Sequence, residues 1–283
     1  MKVPHMIKYL LEAQLDELKN VIGNRLLTHL KNGQVNKFEC YAKESLISFD
    51  WYNLRDVNSK PTRITVCYAE DRIFFICEDD AGLKKVRELV TEDPSEDRVL
   101  YTFFSGLIRD DIDYLEDLEE HVTEIEDRVI SDYKGFKQEY GGEIIALRRE
   151  LLKLKRYYEQ LNEIFEGLME NENGLISEEN LRYFRILDSK IDRLFSHVLN
   201  LRDYVTQVRE AYQAQIDIEQ NSLMKIFTVI TSIFLPLTLL VGWYGMNLQM
   251  PEFNWPFGYP FVILLSVIVV IVSIVIFKRR KWL

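Results

Sequence analysis

Two uncharged apolar runs near the C-terminus constrain this chain more than anything else in it. Ile226–Trp243 and Pro260–Phe277 each pass without a single Asp, Glu, Lys or Arg. As helices rising about 1.5 Å per residue, each reaches about 27 Å, close to the hydrocarbon thickness of a bilayer. Between Leu223 and Phe277 the only charged residues are Lys225 and Glu252. Two such runs in tandem, ending on Lys278-Arg279-Arg280-Lys281, predict a pair of membrane helices rather than buried globular ones.

Basic residues set the expected orientation. Lys225 abuts the start of the first run and the Lys278–Lys281 cluster abuts the end of the second, while the loop 244–259 carries only Glu252. Lys and Arg favour the cytoplasmic side, so both termini are expected inside and the loop outside, in a multi-pass protein of the plasma or inner membrane. The stretch Met1–Glu12 has no long apolar core of the signal-peptide kind. Three cysteines (Cys40, Cys67, Cys77) without metal-ligand spacing agree with a reducing compartment and read as small buried hydrophobes.

Ahead of the membrane the period of the apolar residues changes along the chain. Residues 63–68 and 72–77 are rich in β-branched and aromatic types and flank Glu70-Asp71, which predicts a hairpin. Residues 46–51 form a further candidate strand and 81–90 a short helix, giving a small α+β module within 1–95. From Glu96 the reading is helical. Leu115, Leu118, Val122, Ile125 and Val129 recur at 3-4-3-4, and Leu147, Leu151, Leu154, Tyr158, Leu161, Phe165 and Leu168 repeat the pattern, predicting a helical hairpin within 96–177.

A third stripe begins after Ser177, an expected N-cap, and no Gly or Pro follows until Pro236. Leu187, Ile191, Leu194, Val198, Leu201, Val205, Val208 and Tyr212 hold a 4-3-4-3-4-3-4 spacing of coiled-coil type. One stalk helix is therefore expected to cross 178–222 and continue into the first membrane helix, 223–243, with the loop 244–259, the second membrane helix 260–277 and a basic tail 278–283 after it. A stripe of that length needs partners, which predicts homo-oligomerisation.

Upstream of Leu223 the chain carries 30 Lys/Arg and 44 Asp/Glu, a net charge of −14. Such a surface attracts cations and excludes nucleic acid as a partner. Asp117, Glu120, His121 and Glu124 share a helical face and are candidate metal ligands, whereas His5, His29 and His197 read as isolated. There is no Ser-His-Asp or Cys-His arrangement, P-loop or dinucleotide fingerprint, so no enzyme and no cofactor is expected.

Along the first membrane run Asn221, Met224, Phe227, Thr231, Leu235, Thr238 and Gly242 follow one another at intervals of three or four and lead to Gly245. Small, hydroxylated and amide-bearing residues on one face fit either a helix-packing seam or a pore lining.

The end of the run resembles one family. Tyr244-Gly245-Met246-Asn247, Met250-Pro251-Glu252, Gly258-Tyr259-Pro260 and the terminal Lys-Arg-Arg-Lys-Trp-Leu carry the likeness, together with the spacing from Asn221 to Asn247. They are similar to the CorA-type magnesium transporters from about Glu219 to the end of the chain. The helix pattern extends the weaker likeness back to about Arg63. The resemblance implies a homopentameric funnel embedded in membrane lipid, passing partly hydrated Mg²⁺ through an axial pore. Gly245, Met246 and Asn247 would form the selectivity ring and the stripe from Asn221 to Gly242 the lining. Glu252 would concentrate cations at the mouth, and Phe227 and Leu235 would be hydrophobic constrictions.

Two departures follow from the same comparison. The first strands and an acidic loop of the N-terminal region are expected to be missing, and Ile186 stands where the family's stalk carries an aspartate. Sensing of cytoplasmic Mg²⁺ is then expected to be weak or to move to Asp79, Asp80 or Asp188. Alternatives are a Zn²⁺, Co²⁺ or Ni²⁺ transporter of the same superfamily, against the first of which Met246 and Met250-Pro251-Glu252 speak, and a membrane-anchored coiled-coil scaffold that conducts nothing.

Overall fold

The computed structural model describes residues 6–19, 21–33, 35–54, 56, 59–90, 95–131, 139–247 and 255–280. They form five strands, β1 (Met6–Leu11), β2 (Phe38–Cys40), β3 (Glu44–Trp51), β4 (Thr62–Ala69) and β5 (Arg72–Cys77), and seven α-helices. The helices are α1 (Asn24–Lys31), α2 (Asp80–Leu89), α3 (Glu96–Leu107), α4 (Asp111–Ser131), α5 (Glu139–Glu170), α6 (Glu178–Tyr244) and α7 (Gly258–Arg279). By internal contacts the chain divides into 1–209 and 210–283.

In the first unit the strands make one sheet in the order β1-β5-β4-β3-β2. The hairpin read from the sequence is β4–β5, closed by Ala69 opposite Arg72. The other antiparallel pairs are β3–β4 and β2–β3. One strand was not read from the sequence: β1 lies parallel to β5, with Met6 opposite Arg72 and Leu11 opposite Cys77. Its residues, Met-Ile-Lys-Tyr-Leu-Leu, lack the alternation of a half-buried strand. Its partner emerges only after β2, β3 and β4, so no local pattern announces the pairing.

Alternation across the pleat sends the sheet's side chains to two covers. Leu46, Cys67, Phe74 and Ile76 join Leu15 and Leu18 of a 3₁₀ turn (Glu12–Leu18) and Leu26, Leu27 and Leu30 of α1 in one apolar cluster. On the other face a chain of rings links sheet to helices: Phe75–Phe103 at 5.0 Å, Phe103–Phe104 at 5.1 Å, Phe104–Phe165 at 5.2 Å and Phe165–Phe184 at 6.2 Å. β5, α3, α5 and α6 therefore share one aromatic core. Cys67 and Cys77 are buried in the sheet, and burial pushes both thiols up to about 12.

The segment 96–177 holds three helices rather than a simple hairpin. α3 ends at Leu107, and α4 starts afresh at Asp111 after a short turn. α4 lies beside both α5 and α6. Arg128 donates to Glu143 at 2.7 Å and Tyr158 to Asp111 at 2.8 Å, while Tyr204 donates to Glu126 at 2.5 Å. Two histidines expected to be isolated have partners, a correction of that expectation: His197 meets Glu119 at 2.9 Å, and His29 meets Glu39 at 2.9 Å. His5 is outside the described residues. Glu119 is remote in sequence from His197, and Glu39, ten residues after His29, lies on a strand beyond the end of α1, so no helical spacing reveals either pair.

The start of α6 is held from outside the helix. The Ser177 carbonyl accepts from Leu181, the first intrahelical bond, but its hydroxyl does not cap the helix as expected. It donates to Asp97 of α3 at 2.7 Å, and the same carboxylate oxygen accepts from the Ser177 amide and from Asn180. Burial works to raise the Asp97 pKa, and these hydrogen bonds outweigh it and hold the carboxyl below its usual range.

Candidate ion pathway

In the second unit α6 runs without interruption through Pro236 to Tyr244. Proline removes one donor, leaving the Ser232 carbonyl without its helical partner. Partly covered positions recur along this part of α6 at Val229, Ile233, Pro236, Leu237, Leu240 and Tyr244. On α7 they recur at Val262, Leu265, Ser266, Val269, Val270, Ser273 and Phe277. Each apolar helix therefore has one partly covered stripe, the rest of its surface being exposed. Both helices are long and apolar enough to span a membrane.

The predicted pathway residues sit elsewhere on α6. Thr231, Thr238 and Gly242 lie two positions ahead of the covered Ile233, Leu240 and Tyr244, which turns them to the far side of the helix. Asn221, Met224, Phe227, Thr231, Leu235, Thr238 and Gly242 are all exposed. The stripe is therefore not the covered face of α6.

Its polar chemistry is one-sided. Thr231 donates its hydroxyl hydrogen to the Phe227 carbonyl at 2.7 Å, and Thr238 donates to Phe234 at 2.8 Å. With the hydrogen committed to the helix, each hydroxyl oxygen presents lone pairs outward as an acceptor. A hydrated cation shows water hydrogens to its surroundings, so a wall of acceptors suits it.

At the outer end Gly245 stands where a side chain would crowd the backbone. Its amide donates to Val241 at 2.9 Å, and a Cβ on it would stand 2.9 Å from that same carbonyl oxygen. Met246 and Asn247 follow, both exposed, and the Asn247 amide makes no hydrogen bond with another described residue. Glu252 and Met250-Pro251 lie outside the described residues.

The regulatory candidates are not brought together within one chain. Asp79 is the N-cap of α2, accepting from the Gly82 amide and the Thr62 hydroxyl, both at 2.9 Å, and Asp80 is the first residue of that helix. Asp188 lies half-buried on α6; burial, then Asp192 and Glu166, raises its pKa. Among the described residues no group of three or more His, Cys, Asp or Glu side chains is placed to hold a metal ion. That includes the α4 face of Asp117, Glu120, His121 and Glu124, where His121 and Glu124 approach only to 3.9 Å. Ile186 is exposed on α6.

Sequence reading missed a cluster of opposite charge, Arg148, Arg149 and Arg202, which line one groove between α5 and α6. Only the adjacency of Arg148 and Arg149 hinted at it, because Arg202 joins them from another helix.

Residues 12–279 match the family described as CorA-like Mg2+ transporter protein. The chain belongs to that family. Among curated relatives, the cobalt/magnesium transport protein CorA of Thermotoga maritima is 36% identical over 102 residues, covering 36% of this chain and 29% of that protein. The magnesium transport protein CorA of Sodalis glossinidius is 42% identical over 94 residues, covering 33% and 30%. The matched part thus spans less than a third of either relative's length. Among solved structures, the CorA magnesium transporter of Methanocaldococcus jannaschii superposes with a TM-score of 0.78 at 20% identity, over 96% of this chain and 88% of that one. The fold of this CorA-family chain is therefore that of a complete solved member.

Proposed function

We propose that this protein is a divalent-cation channel of the CorA type that passes partly hydrated Mg²⁺ down an axial pore, acting as a transporter and not an enzyme. The observation that carries the reading is the acceptor stripe of α6, which is exposed, lies opposite the helix's covered face and ends at Gly245-Met246-Asn247. Copies of α6 arranged around an axis turn that stripe into a wall, and Asn247 into a ring of amide oxygens at its mouth. Mg²⁺ gives up its waters reluctantly, so oxygens that bond to the hydration shell suit it better than a dehydrating cage. An uncharged ring also releases the ion, as conduction demands.

The other residues take roles consistent with this path. Phe227 and Leu235 are the apolar constrictions of the stripe, and Asn221 and Met224 precede them. Glu252 raises the local cation concentration outside. The assembly is a homopentamer with both termini cytoplasmic and 1–222 forming the cytoplasmic part. Asp79, Asp80 and Asp188 are the remaining acids for a weak regulatory site between copies.

The test is ion flux into liposomes holding the purified protein, with Mg²⁺, Co²⁺, Ni²⁺ and Zn²⁺ compared in parallel. Mg²⁺ influx saturable at millimolar concentration is expected. Zn²⁺ flux with no Mg²⁺ flux would move the protein to the zinc branch, and no flux of any ion would leave a non-conducting scaffold.

A further inference from the structure

The groove between α5 and α6 has a volume of about 320 Å³ and is walled by Arg148, Arg149 and Arg202 over exposed Ile145 and Leu152. Among the described residues none of the three guanidiniums is ion-paired, although Asp203 stands on the rim. Three unpaired cations on a half-apolar groove are unusual in a region with a net charge of −14.

The chain carries the matching surface on α4. Asp113, Asp117, Glu120, Glu124 and Asp127 are exposed and spaced 4-3-4-3, one ridge opposite the helix's buried side of Leu115, Leu118, Val122, Ile125 and Val129. Ridge and groove lie on opposite faces of the α4–α5–α6 layer. Glu143 and Glu150 of α5 bond to α4, and Ile145 and Leu152 each come two positions later, on the far side of α5. On α6, Thr206 follows Tyr204 in the same way.

They also lie at the same level. The pairs Glu143–Arg128 and Tyr158–Asp111 on α5, and His197–Glu119 and Tyr204–Glu126 on α6, place the groove beside roughly 118–128 of α4. A cyclic ring relates its copies by rotation without any rise, so with these helices running along its axis a contact between neighbours joins surfaces at one level. A contact between opposite faces is heterologous and passes head to tail around the ring.

We propose that the arginine groove of each copy receives the acidic α4 ridge of the adjacent copy. The contact rests on the homo-oligomeric reading given above and adds to it a named interface. Its charge pairs are partly hydrated, so its strength falls with salt.

The experiment uses the full chain in lipid nanodiscs, in a Cys40→Ser background; Cys67 and Cys77 are buried and do not compete. Glu120→Cys combined with Arg149→Cys should give, on mild oxidation, a ladder of covalent multimers up to the whole ring. Either cysteine alone should not. Adding Arg148→Glu and Arg202→Glu should cut ladder yield at least about fivefold, and further adding Asp117→Arg and Glu124→Arg should restore it. Restoration excludes misfolding as the cause of the loss. A wild-type protein that is monomeric by native mass would instead sink the oligomeric reading itself. A ring by native mass that gives no ladder, or a ladder indifferent to both reversals, overturns the interface. Tight binding of inorganic triphosphate, lost with Arg148→Glu and Arg202→Glu in a ring that gives no ladder, would reassign the groove to a small anion.

Discussion

Tyr158 of α5 donates its phenolic hydrogen to Asp111, the first residue of α4, at 2.8 Å, and both groups are buried. Burial raises the Asp111 carboxyl from 3.8 to about 6, against the lowering effects of the Tyr158 hydrogen bond, Lys190 and Lys85. The folded state therefore binds this proton more tightly than the unfolded one. Its contribution to stability is fully present below pH 3.8 and is lost as pH rises through about 6. A displacement of that size is worth about 3 kcal/mol. Asp111→Asn keeps an acceptor for Tyr158 and removes the charge. Its melting temperature at pH 8 should exceed that of wild type, with the difference shrinking toward pH 4. Equal pH slopes for the two proteins would refute the assignment.

Gly167 on α5 leaves no room for a side chain, since a Cβ there would overlap the ring of Phe38 on β2. Gly167→Ala should lose about 1–3 kcal/mol by forcing the ring aside. Gly142→Ala, where nothing lies within 4 Å of the added carbon, serves as the control and should be neutral or better. Thermal unfolding by circular dichroism distinguishes the two.

Asn247→Ala should remove most Mg²⁺ flux, about tenfold or more, as expected for losing an oriented ring of acceptors. Assembly measured by native mass should be unchanged. Flux at the wild-type rate would show that the amide does not meet the ion.

Phe227→Ala should raise basal leak if the rings exclude water at a constriction. A residue that only packs would lower the melting temperature and leave conductance alone. Recording both on one preparation separates the roles.

Exposed Ile186 offers no ligand, and Asp79 is engaged as a helix cap. Closure by cytoplasmic Mg²⁺ should accordingly be shallow in a titration at fixed ionic strength. A sharp, saturable transition would direct attention to Asp188 and its neighbours Asp192 and Glu166.

What the sequence disclosed follows from range. The β4–β5 hairpin was legible because two β-branched runs flank Glu70-Asp71, and α6 because its stripe persists without Gly or Pro from Ser177 to Pro236. β1, the Asp97 clamp on Ser177 and the Glu119 partner of His197 were not, since each joins residues remote in sequence, nor was the Glu39 partner of His29, which sits on a different element. The ion pathway was half legible. Periodicity gave the stripe from Asn221 to Gly242, but that it is the open face of α6 needed the cover over Ile233, Leu240 and Tyr244. The groove of Arg148, Arg149 and Arg202 needed two helices side by side.

The parallel pairing of β1 with β5 also orders events during synthesis. β3, β4 and β5 can zip as each emerges, through short connections, whereas Met6 must wait for Arg72. Until it docks, β5 is the open border of the sheet, with the backbone of Ile73-Phe74-Phe75-Ile76 unpaired on that side. An edge so apolar invites strands from other nascent chains. β1 thus works as a late-arriving guard, and a chain that lacks Met1–Leu11 should aggregate as it is made, before any membrane helix has left the ribosome.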